Sequence, residues 1–245
     1  MKSFLAAMQF MTRIPINKTI VASEAEMGSS SKYFPIIGFI IGFFLFIIDQ
    51  LSSLLLPSLV VGAILLIAEV LITGGLHVDG YLDTMDGLLS SRPKETALEI
   101  MKDSRVGAHS VTAFFALFIL KYSIIVGLLN TNSIYGIFLM PIVGRWVMQF
   151  CICFFPYARE NGLGKIFSIS SDKRDWYFST LTFMLIILFF LPWNYLLVIT
   201  ITFLIMLTPI LKINKFLNGH TGDTYGAINE LTEVLFIFLC LLLRI

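Results

Sequence analysis

Along the 245-residue chain, long apolar runs alternate with short polar stretches, and the run lengths set the first expectation. A membrane-crossing helix needs about 20 predominantly apolar residues. Seven stretches approach that length, at 34–50, 54–73, 107–129, 133–155, 176–191, 193–211 and 229–245. Only Pro192-Trp193-Asn194 separates the fifth from the sixth, which predicts a tight helical hairpin. Ahead of the first run, Phe4, Leu5, Met8 and Met11 recur at helical spacing, predicting a short amphipathic helix at the membrane interface. A polar loop is expected over residues 17–32. The expected fold is all-α: one membrane domain over 1–245, a polytopic helical bundle of about seven spans plus that short N-terminal helix.

Composition agrees. Hydrophobic residues make up 57% of the chain and charged residues 13%, with a mean hydropathy of +0.88. A soluble domain carries about a quarter charged residues. The net charge of +1 and the absence of a basic tail point to no nucleic-acid partner. The apolar run after Lys2 is followed by Arg13 and by no small-residue cleavage site, so no cleaved signal peptide is expected. Cys151, Cys153 and Cys240 lie in apolar runs without ligand-like pairing and read as packing residues.

The loops then sort by charge. The N-terminal segment and the loops after spans two, four and six share one side of the bilayer. They carry Lys2, Arg13, Lys18, Lys32, Arg92, Lys94, Lys102, Arg105, Arg159, Lys165, Lys173, Arg174, Lys212 and Lys215. The loops between spans on the opposite side carry none, and only Arg244 lies at that end. Basic loops favour the cytoplasm. The polar loops 74–106, 156–175 and 212–228 are thus expected on the cytoplasmic face of an inner membrane.

The first of these loops changes the picture most. Residues 74–105 read GGLHVDGYLDTMDGLLSSRPKETALEIMKDSR. Asp79, Asp83 and Asp86 are spaced by four and three, which stacks their side chains on one helical face. Three uncompensated carboxylates repel one another, and a divalent cation would remove the repulsion and accept their hard oxygens. A polar turn rich in Asp and Gly is the plainer reading. Pro93 suits a first helical turn, so 94–103 predicts a short helix packing through Ala97, Leu98 and Met101, with Asp103 and Arg105 where the chain re-enters the membrane. For the site to close, Asp103 must fold back toward the three Asp.

Two further patches carry polar chemistry. In Pro156–Lys165, Gly162 and Gly164 with Arg159 and Lys165 could wrap a phosphate, since Gly lets backbone donors approach. In Asn218–Ala227, Asp223 leads into Glu230 and Glu233. Glu69, Lys121 and Arg145 lie inside expected spans, where a charge costs several kcal/mol unless paired or hydrated. They read equally as a buried ion pair joining helices, Glu69 with Lys121 or Arg145, or as the wall of a polar cavity. Of the histidines, His77 stands out because it immediately precedes the acidic cluster; no zinc-ligand spacing is present. Carboxylates, Arg and Lys on one side of a membrane fit metal-assisted phosphoryl transfer, in which positioning and charge neutralisation do most of the work.

The motifs GGLHVDGYLDTMDG, EIMKDSRVGAHS, PYARENGLG and GHTGDTYGAINE, in that order, resemble the cobalamin-5′-phosphate synthase family, the adenosylcobinamide-GDP ribazoletransferases. FMTRIP and YFPIIGFIIG extend the likeness over nearly the whole chain. The resemblance implies a Mg²⁺-dependent reaction. A hydroxyl of α-ribazole, or of its 5′-phosphate, attacks the cobinamide-side phosphorus of adenosylcobinamide-GDP; GMP leaves, and adenosylcobalamin or its 5′-phosphate forms. It implies Asp79, Asp83, Asp86 and Asp103 as metal ligands, one doubling as general base, with His77 beside them. Arg105, Lys102, Arg159 and Lys165 become phosphate-binding candidates, with Asp223 closing the site and Lys121 and Arg145 lining it. Within the family pattern, Asn218 stands where a Gly is expected.

Asp83-Thr84-Met85-Asp86-Gly87 also resembles the DxxDG of the CDP-alcohol phosphotransferases, but the later Gly-xxx-Asp-xxx-Asp part is absent. A membrane prenyltransferase would need a second Asp-rich motif, and a transporter would show repeat symmetry and polar residues near the midplane. Neither pattern is met. The oligomeric state stays open, a homo-oligomer included.

Overall fold

The computed structural model describes residues 2–16, 22–131, 133–190 and 192–245, and among these every regular element is a helix. The amphipathic start forms α1 (Lys2–Met11), which lays Ala6, Ala7, Met8 and Met11 against the bundle. Lys18 and the first part of the expected 17–32 loop lie outside the described residues. The remainder is not a loop. It forms α2 (Glu24–Gly28) and a 3₁₀ turn over Ser29–Tyr33, which lead directly into α3 (Phe34–Ser52). The Ser23 hydroxyl accepts from the Glu26 amide while the Glu26 carboxylate accepts from the Ser23 amide, a capping box that starts this helix early.

Five helical runs are long and apolar enough to cross a membrane: Glu24–Ser52, α7 (Ala108–Asn130), α8 (Ile134–Phe154), α11 (Asn194–Leu217) and α12 (Gly222–Leu243). A sixth is reached if α4 (Ser58–Thr73) and α5 (Leu76–Leu89) count as one broken span, bent by 92°. Two of the seven expected spans are not among the five: α4 has only 16 residues, and α10 (Lys173–Phe190) carries three charges. Gly74 and Gly75 both adopt left-handed backbone (φ 66° and 71°), ending α4 and swinging the acidic segment off its axis. In α10, which stands in place of the fifth expected span, three of 18 residues are the charged Lys173, Arg174 and Asp175. Leu71, Leu188 and Phe189 are exposed on the outer surface, as lipid contact requires.

The loops shrink accordingly. The 74–106 stretch contains α5 and α6 (Lys94–Ile100), and the 156–175 stretch contains α9 (Leu163–Ser170). Residues 212–217 belong to α11 and 222–228 to α12, leaving only 218–221 as connection. Asn218 caps α11 at φ 56°, a left-handed position that Gly or Asn tolerates best. Ala97 and Met101 are buried beneath α6, the face its spacing predicts.

Hydrogen bonds join these connections at one end of the bundle. The Arg13 amide donates to the Ile72 carbonyl at 2.7 Å, and the Ala158 amide to the His220 carbonyl at 2.8 Å. Tyr157 and His220 form an isolated β-bridge there. The opposite end is marked by Ser58, whose hydroxyl donates to the Asn130 side chain at 2.6 Å. α8 is the most buried span and packs on α3 and α12, so it forms the centre of the bundle.

Candidate active site

α5 is positioned by contacts that only small residues permit. A Cβ on Gly80 would stand 2.8 Å from the Asp223 carbonyl oxygen, and one on Gly226 2.9 Å from that of His77. The backbones of α5 and α12 therefore touch, and the acidic face of α5 meets the N-terminus of α12. Asp83 lies within electrostatic reach of Asp223, Asp79, Arg159 and Asp86. Asp83 and Asp223 thus share the field of one basic side chain, Arg159. The Arg159 guanidinium pairs with Asp223 at 2.7 Å through Nη1.

The three α5 aspartates do not share one role. Asp86 is buried and caps α7: its Oδ2 accepts from the Gly107 amide at 2.7 Å and the Ser110 hydroxyl at 2.7 Å, and its Oδ1 from the Ser110 amide at 2.9 Å. Asp79 is exposed and Asp83 half-buried, and both face open space.

Two cavities meet at Asp79. One, of about 300 Å³, is polar and lined by Asp79, Asp83, Asp86, Lys102, Asp103 and Arg105. The expected fold-back of Asp103 is therefore present in the structure. Its carboxylate is clasped by Arg105, through Nε at 3.1 and 3.0 Å and Nη2 at 2.6 Å, which holds it down at about 2. The other cavity, of about 270 Å³, runs inward between α1, α3, α8 and α9, with His77, Asp79, Arg159 and Asp223 among its polar lining.

Three expected contributors lie elsewhere. Lys165 donates to the Glu160 carbonyl and opens on a separate hollow beside Glu24 and Asn161. Lys121 sits 2.9 Å from Glu69, 3.1 Å from Glu230 and 2.7 Å from Glu233. Arg145 is fully buried, donating to Glu233 and to the Pro141 carbonyl, each at 3.0 Å, with His77 Nδ1 at 3.4 Å from its Nη2. Neither Lys121 nor Arg145 lines either of the two cavities. Both cations form ion pairs between helices, Lys121 with Glu69, Glu230 and Glu233, and Arg145 with Glu233.

Tyr157 and Tyr225, which the sequence did not single out, line the inward cavity, and Ser110 holds Asp86. Tyr225 stands within the GDTYG motif, but its role needs the α5–α12 contact. His220 is buried in the Tyr157 bridge, and burial pushes its imidazole down to about 4.

A helical membrane protein with carboxylates, two arginines and two cavities at one end has the make-up of a membrane transferase of charged substrates. The chain belongs to the cobalamin-5-phosphate synthase family, whose model matches residues 3–241. Similar proteins include the adenosylcobinamide-GDP ribazoletransferases of Desulfitobacterium hafniense strain Y51, 38% identical over 97% of this chain and 95% of its own, and Clostridium botulinum strain Loch Maree, 37% identical over 99% and 98%. That of Clostridioides difficile strain 630 is 35% identical over 99% and 98%. No solved structure matches.

Proposed function

We propose that this protein joins adenosylcobinamide-GDP to α-ribazole or α-ribazole 5′-phosphate, releasing GMP, at the cytoplasmic face of a prokaryotic inner membrane. The family assignment and the names of its relatives support the activity. The observation that carries the site assignment is the meeting of Asp79, Asp83 and Asp223 beside Arg159, where two cavities share a wall.

The donor set fits Mg²⁺. Asp79 and Asp83 present hard carboxylate oxygens with no ion pair among the described residues, while Asp86 is committed to α7 and Asp103 to Arg105. Asp79 and Asp83 would hold the ion, with Asp223 and Asp103 completing its surroundings. Bound there, Mg²⁺ would neutralise diphosphate charge. The chain's own residues do the rest. Lys102 and Arg105, at the rim of the polar cavity, attract the diphosphate of the nucleotide-bearing substrate. The acceptor hydroxyl, held across the Asp79 wall, attacks the cobinamide-side phosphorus. One carboxylate of the cluster takes its proton as the bond to GMP breaks.

The test is Asp83→Asn in protein reconstituted into vesicles, with GMP release from adenosylcobinamide-GDP followed at several Mg²⁺ concentrations. Supporting partners of metal ligands are worth about 10–100-fold, and a ligand should exceed that, so a loss of more than about 100-fold is expected. Full turnover would remove Asp83 from the site.

A further inference from the structure

His77 touches both the buried ion-pair network and the inner cavity, and the functional reading above gives it no task. Its backbone is fixed where α5 meets α12, since a Cβ on Gly226 would stand 2.9 Å from its carbonyl oxygen. Its ring borders the inner cavity, while Arg145, which does not, is fully buried against it. We propose that Arg145 fixes the imidazole as the tautomer with its proton on Nε2. That N–H is then a hydrogen-bond donor for an uncharged oxygen, a hydroxyl or ether, of the substrate that enters the inner cavity. The inference rests on the transferase reading above and gives His77 its part in it.

A guanidinium carries N–H donors and no acceptor. At 3.4 Å from Arg145 Nη2, His77 Nδ1 therefore accepts, because an N–H there would face another N–H. Arg145 is itself held in place, its Nη1 donating to Glu233 Oε1 and to the Pro141 carbonyl, each at 3.0 Å. A neutral imidazole with a bare Nδ1 carries its proton on Nε2. Proteins commonly orient one ring nitrogen by a bond to the other in this way.

The second nitrogen is the available one. Among the described residues Nε2 has no hydrogen-bond partner, and unlike His220 Nε2 it is not sealed in by protein. A protonated Nε2 has no lone pair to offer a cation or to take a proton from a hydroxyl. His77 thus stands outside the metal set and the general-base role, which stay with the aspartates. The lining also selects the partner atom. Asp79 and Asp223 share it, and Arg159 is already paired with Asp223. An anionic oxygen beside His77 would meet two carboxylates, whereas a hydroxyl or ether oxygen meets a donor without that repulsion.

The test sets two amide substitutions against each other in the full chain in vesicles. Asn places its amide at the level of Nδ1, so His77→Asn keeps an acceptor for Arg145 and loses the donor. Gln reaches the level of Nε2, so His77→Gln keeps the donor and loses the contact with Arg145. One hydrogen bond is worth up to about 10-fold. His77→Asn should therefore raise KM for one of the two substrates about 10-fold, and His77→Gln should recover most of that loss. A merely structural partner of Arg145 gives the reverse order, which would overturn the proposal. Mn²⁺ affinity without substrate, read by electron paramagnetic resonance, should match the unaltered protein in both variants; a fall in both would make His77 a cation ligand instead. Nitrogen NMR of the unaltered protein with ¹⁵N-labelled histidine reads the tautomer without turnover, and should show Nδ1 bare and Nε2 protonated. The opposite tautomer in a protein that still releases GMP would sink the role of His77 alone. The expected tautomer in a protein that never releases GMP would count against the transferase reading alone.

Discussion

The molecule holds two groups of acidic residues that a sequence scan cannot tell apart. Around Lys121, the carboxylates of Glu69, Glu230 and Glu233 bring three helices together, and Glu233 also receives Arg145 from a fourth. At the α5–α12 contact, Asp79, Asp83 and Asp223 gather around Arg159, and only Asp223 is paired with it. The first group carries its cations with it. The second leaves anionic oxygens facing open cavities. The two groups thus differ in how closely cations approach their carboxylates: Lys121 and Arg145 stand within 3.1 Å of the glutamates, while Asp79 and Asp83 have no ion pair among the described residues.

The largest separation between the groups should come from Asp83→Asn, which ought to abolish GMP release while leaving the unfolding temperature in detergent unchanged or slightly raised. Relief of like-charge crowding at a functional site commonly stabilises a protein. A collapse of stability would mean that Asp83 belongs with the structural group. Next comes Glu233→Gln, which strips the carboxylate from both Lys121 and Arg145. Breaking a buried pair costs about 3–5 kcal/mol; at about 2–4 °C per kcal/mol for a chain this size, the unfolding temperature should fall by roughly 10 °C. If it stays put while KM rises, the network serves substrate and the contrast fails.

Asp86→Asn is expected to be intermediate. Losing part of the α7 cap costs about 1–2 kcal/mol, a fall of several degrees, and any activity loss should be smaller than for Asp83→Asn. An activity loss equal to that of Asp83→Asn at unchanged stability would place Asp86 among the metal ligands. The smallest effect concerns pH. His220 is held neutral by burial, at about 4 against an ordinary 6.5. Its depressed value means the folded state binds fewer protons, so its contribution is complete above about pH 6.5 and is lost as pH falls toward 4. Thermal scans from pH 7 to 4 should show a shallower decline in His220→Gln than in the unaltered protein; parallel curves would exclude His220 as the titrating group.

Much of this was legible in the residue pattern. The run lengths gave an all-helical membrane bundle. The four-and-three spacing placed the Asp face on α5. What the pattern missed depends on distance in sequence. No spacing rule pairs Lys121 with Glu233, 112 residues away, so the partners of intramembrane charges emerged only from packing. The role of Asp86 turned on Ser110, across a loop and a second helix. The count of seven spans is not confirmed at two places: α4 is only 16 residues long, and α10 begins with the charges Lys173–Asp175.

The bridge between Tyr157 and His220 has a consequence for how the protein is made. It fastens the connection after α8 to the connection before α12, and Asp223 follows three residues later. During synthesis α5 enters the membrane long before α12 does, so its aspartates wait without the Arg159–Asp223 pair and the cavity floor of Tyr225. The Arg159–Asp223 pair and Tyr225 can join the site only once α12 packs against α5 and its loop meets Tyr157. Chains stalled before that point would carry the acidic helix and no working centre, and the growing protein would be silent until its two halves meet.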